Sequence, residues 1–155
     1  MTAQAIDRPG QLRPSVNASL RDDPVVWLSS VQKNGRPHVV PVWFHWNGER
    51  IIAFSKPAAR KVDNLRDHPY VMLAVGAPGP EFDVELIEAT AEVPDVHAAD
   101  LMPAGFRAKY RKLLRRAGLS VGRFAEVYSQ PIVLRPTRFI GYGGRGWERA
   151  DSFAT

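Results

Sequence analysis

The stretch Ser55-Lys56-Pro57-Ala58-Ala59-Arg60-Lys61, continuing to Asn64, has the residue types for holding an anion. Lys56, Arg60 and Lys61 cluster where Pro57 and the breaker-free run to Asp67 predict the start of a helix, with Ser55 as its cap. A helix start offers unpaired N–H groups and the positive end of the dipole, which suits a phosphate. Cations placed there are unfavourable unless an anion joins them, so local stability and this composition conflict. A solvated helix start is the competing reading.

Other side chains with chemical potential are more scattered. Between His38 and Trp46, alternation puts Val40, Val42, Phe44 and Trp46 on a core face and Val39, Pro41, Trp43 and His45 on the other. A proline within a strand gives up a ladder bond. A flat ring system could lie against the backbone at Pro41, with Trp43 beside it. An ordinary strand carrying an exposed aromatic residue is the alternative. Glu81, Asp83 and Glu85 alternate along one strand and read as a solvated face, with Phe82, Val84 and Leu86 turned to the core. His38, His45, His68 and His97 show no metal-ligand spacing, and His45 stands out only because it shares a face with Trp43. No metal site and no side-chain nucleophile is expected. The sequence contains no phosphate-binding P-loop. The glycines at 141–146 follow a strand without a helix pattern behind them, so they make a poor phosphate loop.

The elements that must position these residues fit in 155 residues, the length of one domain. With 45% apolar residues the chain can bury a core, and the absence of cysteine excludes disulfide frameworks, thiolate metal sites and cysteine nucleophiles. The reading is a flexible arm over 1–14, a single domain over 15–142 and a tail over 143–155. Neither a signal segment nor a membrane-length apolar run is visible, so a cytoplasmic location is expected. A short helix capped by Ser15 runs to Arg21. Strands are predicted at 25–31, 38–46, 49–55, 70–75, 82–93 and 131–142. Asn34-Gly35 and Asn47-Gly48 supply tight turns between the first three. Helical patterns cover 58–67, 95–114 with a break near Pro103, and a segment capped by Ser120. The fold class is mainly β (α+β): a small barrel of about six mostly antiparallel strands with flanking helices.

The net charge of +5 is local. Arg107, Lys109, Arg111, Lys112, Arg115, Arg116 and Arg123 fall in one acid-free segment, and the remainder of the chain is slightly negative. This segment reads as a solvated helix face, with shelter for an anionic cofactor tail as a second reading. Nucleic-acid binding is the third and least favoured reading, because Tyr110 is the segment's sole aromatic residue and no stacking platform is apparent.

V-V-W-L-S-S-V at 25–31, N-G-R-P-H-V-V-P-V-W-F at 34–44 and S-K-P-A-A-R-K-V-D-N-L-R-D-H-P at 55–69 together resemble the pyridoxamine phosphate oxidase-like split β-barrel superfamily, with K-Y-R at 109–111 and P-T-R at 136–138 adding a little. Within it the chain is similar to the deazaflavin (F-420)-dependent reductases. The resemblance spans about Asp22 to Tyr142. It implies a homodimer with cofactor sites at the interface, a small-molecule substrate and no membrane. It also implies that Pro41, Val42 and Trp43 line the isoalloxazine-like ring, while Ser55, Lys56, Arg60, Lys61 and Asn64 face the ribityl phosphate. The tail near Trp147 would cover a site from the partner subunit. Oxidases of this superfamily usually place a basic residue in the second strand for the flavin phosphate, and residues 39–44 contain none. The resemblance therefore implies hydride transfer from a reduced deazaflavin to a conjugated organic substrate. The same fold using FMN, or a non-catalytic flavin, deazaflavin or tetrapyrrole binder, is the alternative.

Overall fold

β-Branched and aromatic residues alternating with polar ones, punctuated by Asn-Gly turns, build the first half of the fold. The structure, a computed structural model, describes residues 12–77, 79 and 83–143. β1 (Val26–Val31) and β2 (Pro37–Val42) form the first hairpin. β3 (Phe44–Trp46) and β4 (Ile51–Ser55) form the second. Gly35 and Gly48 take φ values of +83° and +93° in the two turns, a region that glycine enters without steric cost. β5 (Tyr70–Ala77), β6 (Asp83–Glu92) and β7 (Gln130–Gly143) complete a curled antiparallel sheet, ordered β2-β1-β5-β6-β7-β4-β3. With its flanking helices this is a split β-barrel of the α+β class, as the sequence implied.

Seven strands replace about six because the run expected over 38–46 divides at Trp43. Val42 still pairs with Val26, whereas Phe44 pairs with Ala53 at the opposite end of the sheet order. The inward face keeps its parity across the break. Val42 and Phe44 are buried, and Val40 and Trp46 pack against the same core.

Two cores lie on either side of β4, whose five residues are all buried. Ile51 and Ala53 join Leu28, Leu73, Ile87 and Leu134 inside the curl. Ile52 and Phe54 turn outward to Phe106, Tyr110, Leu114 and Phe124, which come from α4 (Ala104–Arg116) and α5 (Val121–Val127). Each fully buried side chain of this size contributes about 1.5–3 kcal/mol relative to an exposed one. α3 (Ala98–Leu101) and α4 divide at Pro103 as expected, and Ser120 caps α5 by accepting a hydrogen bond from Arg123 N–H at 3.0 Å.

Three expectations need correction. α1 runs from Pro14 to Asp22 with Pro14 at its start and no side-chain cap, so Ser15 lies inside the helix rather than before it. α2 runs from Arg60 to Asp67 and also lacks a side-chain cap. Ser55 stays in β4 opposite Gln130, and its hydroxyl donates to the Lys56 carbonyl at 3.1 Å. Glu85 does not face solvent. It shares the inward face of β6 with Ile87, Ala89 and Ala91, while Val84 and Leu86 point outward and remain half-exposed. Arg13 makes this burial tolerable, with its guanidinium 2.8 Å from Glu85 and 3.3 Å from Asp83. Burial nonetheless pushes the Glu85 carboxyl above its ordinary pKa, with Arg13 opposing the shift. Of the arm expected over 1–14, Leu12 and Arg13 are packed on the sheet. Residues 1–11, Glu81, Phe82 and the tail beyond Gly143, with Trp147, lie outside the described residues. Among the described residues no helix is long and apolar enough to cross a membrane.

Candidate functional site

Breaking a strand at Trp43 leaves backbone groups to satisfy where the chain leaves one ladder for another. Tyr110, fully buried on α4, supplies the answer. Its hydroxyl accepts from the Phe44 N–H at 2.9 Å, and the carbonyls of Pro24 and Phe44 stand at 2.8 and 3.1 Å as acceptors for its proton. Burial pushes the phenol up to about 12, so the proton stays in place. Lys109 donates to the same Phe44 carbonyl at 3.2 Å, and its ammonium sits 3.6 Å from the centre of the Phe44 ring. Burial lowers Lys109 to about 8 against the opposing pull of Asp23 and Asp22. The crossover is thus pinned by two consecutive residues of one helix.

The pinned crossover presents Trp43 to the second core. Its indole stacks on Tyr110 at 4.5 Å and 4°, and on Phe124 at 5.5 Å and 12°. Phe124 in turn stacks on Tyr128 at 4.7 Å. Beside this aromatic row opens a cavity of about 350 Å³. One side is formed by Pro41, Val42 and Trp43. The other is formed by Phe54, Ala117, Leu119, Phe124 and Tyr128, and Lys61 closes it from the first turn of α2. Lys61 is half-buried, and burial followed by the nearby charge of Lys56 lowers its pKa. Among the described residues no carboxylate forms an ion pair with it. A flat aromatic wall beside one desolvated cation can take a planar ring with an anionic group at its edge.

The residues singled out from the sequence therefore separate. Pro41, Val42, Trp43 and Lys61 meet in this cavity. Lys56 stands near its rim, with its ammonium 5.9 Å from the centre of the Tyr128 ring. Arg60 and Asn64 line a different cleft of about 410 Å³, together with Gln32, Lys33 and Asp67. There the Arg60 guanidinium lies 3.5 Å from the Gln32 side chain. Asn64 is buried and donates to the Ser30 hydroxyl at 3.0 Å, which ties α2 to β1. Ser55 is buried and spends its proton on the Lys56 carbonyl. Arg60 and Lys61 diverge because consecutive helical residues point about 100° apart.

His45 leaves Trp43 as well. It lines a cavity of about 460 Å³ with Arg21, Asp22, Trp46 and Lys109. Its ring lies against Gly105, where any Cβ would collide with it. Burial, then Lys109, lowers its pKa. Among the described residues no group of three or more His, Asp or Glu side chains could hold a metal ion. The cavity wall made by Phe54, Leu119, Phe124 and Tyr128 was missed in the sequence. Its one visible signal was the capped helix after Ser120, which carries Phe124 and ends at Tyr128.

A sequence profile described as pyridoxamine 5'-phosphate oxidase matches residues 12–136. No curated protein matches the chain. Among solved structures, an F420 reductase is 24% identical, with 83% of this chain and 98% of that one covered and a TM-score of 0.61. An FAD-binding protein from Mesorhizobium loti is 20% identical over 81% of this chain and 88% of its own, with a TM-score of 0.61. The haem storage protein HutZ from Vibrio cholerae is 18% identical over 86% and 96%, with a TM-score of 0.59. At these identities the likeness is one of fold, and one fold carries three different ligands in those proteins.

Proposed function

The chain belongs to the pyridoxamine 5'-phosphate oxidase family, and from that premise we propose that it is an oxidoreductase using a reduced deazaflavin of the F-420 type to reduce a conjugated organic substrate. The observation that carries this reading is the meeting of Pro41, Val42 and Trp43 with Lys61 in one aromatic cavity. The residues present fit such a group. The planar wall of Trp43, Phe124 and Tyr128 suits a flat ring, and the unpaired, half-buried Lys61 suits its anionic end. When bound, the cofactor would supply the hydride, and the protein orientation and electrostatics. Trp43 orients the ring, Phe124 and Leu119 exclude water from it, and Lys61 neutralises charge at its edge. No side-chain nucleophile is needed. β2 has no lysine or arginine, which supports a deazaflavin over FMN.

Lys61→Met is expected to weaken cofactor affinity about 10–100-fold, since a charge-assisted contact to phosphate contributes about 1.5–3 kcal/mol. Lys56→Ala is expected to cost less, because Lys56 stays at the rim. Fluorescence titrations with the deazaflavin and with FMN read both effects, followed by turnover with the reduced form of whichever binds. Unchanged affinity in Lys61→Met would sink the assignment. Tight haemin binding without flavin or deazaflavin binding would replace it with a tetrapyrrole carrier.

The same reading includes a homodimer with its sites at the interface. Trp27, Val31 and Val39 are 50%, 37% and 55% exposed on the outside of the sheet. Their cross-strand neighbours on that face are Ser29, Pro37, Pro41, Met72 and Ala74. Exposed apolar surface of this kind suits a self-complementary contact. Pro41 belongs both to this strip and to the cavity, which supports a site that the second copy completes. Light scattering after size exclusion is expected to show a dimer for the native chain and a monomer for Trp27→Glu. A monomeric native chain overturns the interface.

A further inference from the structure

α4 divides into a buried apolar face and an exposed basic one. Phe106, Tyr110 and Leu114 bury one face, and Arg107, Arg111, Lys112, Arg115 and Arg116 are exposed on the other. Elsewhere the surface neutralises many of its cations, for Arg13, Arg21, Lys33, Arg50, Arg66, Arg123, Arg135 and Arg138 each pair with a carboxylate. Among the described residues none of the five exposed α4 cations does so. Arg115 and Arg116 in the last turn are explained by the helix dipole. Arg107 is not, because it lies in a first turn that contains no acid, where a cation is unfavourable.

We propose that the exposed half of α4 is a binding surface for duplex nucleic acid and seats in the major groove. At 3.6 residues per turn the five cations spread over roughly half the helix circumference. Among them the exposed half presents only Ala104 and Ala108, which permit close approach and offer nothing apolar to insert. A flat anionic surface touches such a cylinder along one line and leaves the flanking cations idle. A groove about 12 Å wide accepts a helix about 10–12 Å across and brings a phosphate wall to each flank. Four of the five are arginine, whose planar fork matches phosphate. Tyr110, the segment's aromatic residue, is fully buried, so single strands find no stacking platform. None of the five cations lines the cavity at Trp43, so this surface is independent of the proposed reaction.

Fluorescence anisotropy with a short labelled duplex DNA tests the proposal on the full chain. Affinity is expected to fall with salt, with a log–log slope of about −3 to −5 between roughly 50 and 200 mM. The triple variant Arg107→Ala, Arg111→Ala, Lys112→Ala is expected to bind about tenfold or more weakly and to flatten that slope by roughly three. A second triple variant, Lys33→Ala, Arg36→Ala, Arg66→Ala, removes the same charge elsewhere and is expected to bind as the native chain does. Circular dichroism establishes that both variants are folded, and an unchanged cofactor titration separates this surface from the cavity. Equal losses in the two variants, no duplex binding, or tighter binding to phosphatidylserine vesicles than to the duplex each overturn it.

Discussion

Trp43→Ala is expected to reduce cofactor affinity at least about tenfold and stability by about 3 kcal/mol. The stability figure takes the lower end of the range for aromatic truncation, because Trp43 is half-buried. The same indole does both jobs. It contributes stacking to Tyr110 and Phe124 and forms a wall of the cavity. Aromatic pairs add about 0.5–1.5 kcal/mol each beyond the area they bury. Trp43→Phe keeps a stacking ring and is expected to recover most of the stability and part of the affinity. Urea unfolding reports the first quantity and fluorescence titration, far below the unfolding midpoint, the second. Native-like binding by Trp43→Ala would show that the ring site lies elsewhere.

Tyr110→Phe removes one oxygen and is expected to lower stability by about 3 kcal/mol, a large effect for so small a change. The Phe44 N–H would lose its acceptor in a buried place, and the Pro24 carbonyl would lose its donor at a half-buried one. Each orphaned group costs about 1–3 kcal/mol. The urea midpoint should fall with little change in slope, since the surface exposed on unfolding is nearly the same. Hydrogen exchange at the Phe44 amide should accelerate beyond what the global loss explains. A midpoint equal to the native one would mean that the crossover does not depend on the hydroxyl.

Much of the architecture was legible in residue patterns. Alternation placed Val42 and Phe44 on the inward face, Asn-Gly placed both hairpin turns, and Ser120 placed the start of α5. The division at Trp43 was not legible, because an inward–outward period of two runs through it unbroken and the change of partner is a tertiary event. Ser55 has the chemistry of a cap and the sequence position of one. Pairing of β4 with β7 holds it in the sheet instead, and the helix starts at Arg60. The parity of β6 was misread because three alternating carboxylates look solvated, and Arg13, distant in sequence, is what lets Glu85 turn inward. Half of the candidate site followed from the strand and cation segments. The other half, Phe54, Leu119, Phe124 and Tyr128, has the spacing of ordinary core, so its role depends on what packs opposite.

The place of β4 between β3 and β7 also dictates an order of events during synthesis. β3 can pair with β4 as soon as both exist, but the other edge of β4 waits for β7, where Ile51 meets Leu134 and Phe54 meets Pro131. Until then a strand destined for burial on both faces presents an open, apolar edge, the kind of surface that seeds misassembly. Completion of the sheet therefore belongs to the last stage of folding. The pairings that complete it join residues far apart in the chain, which slows the step. A chain truncated before β7 is left with its most aggregation-prone strand half-paired, whatever the quality of its first two hairpins.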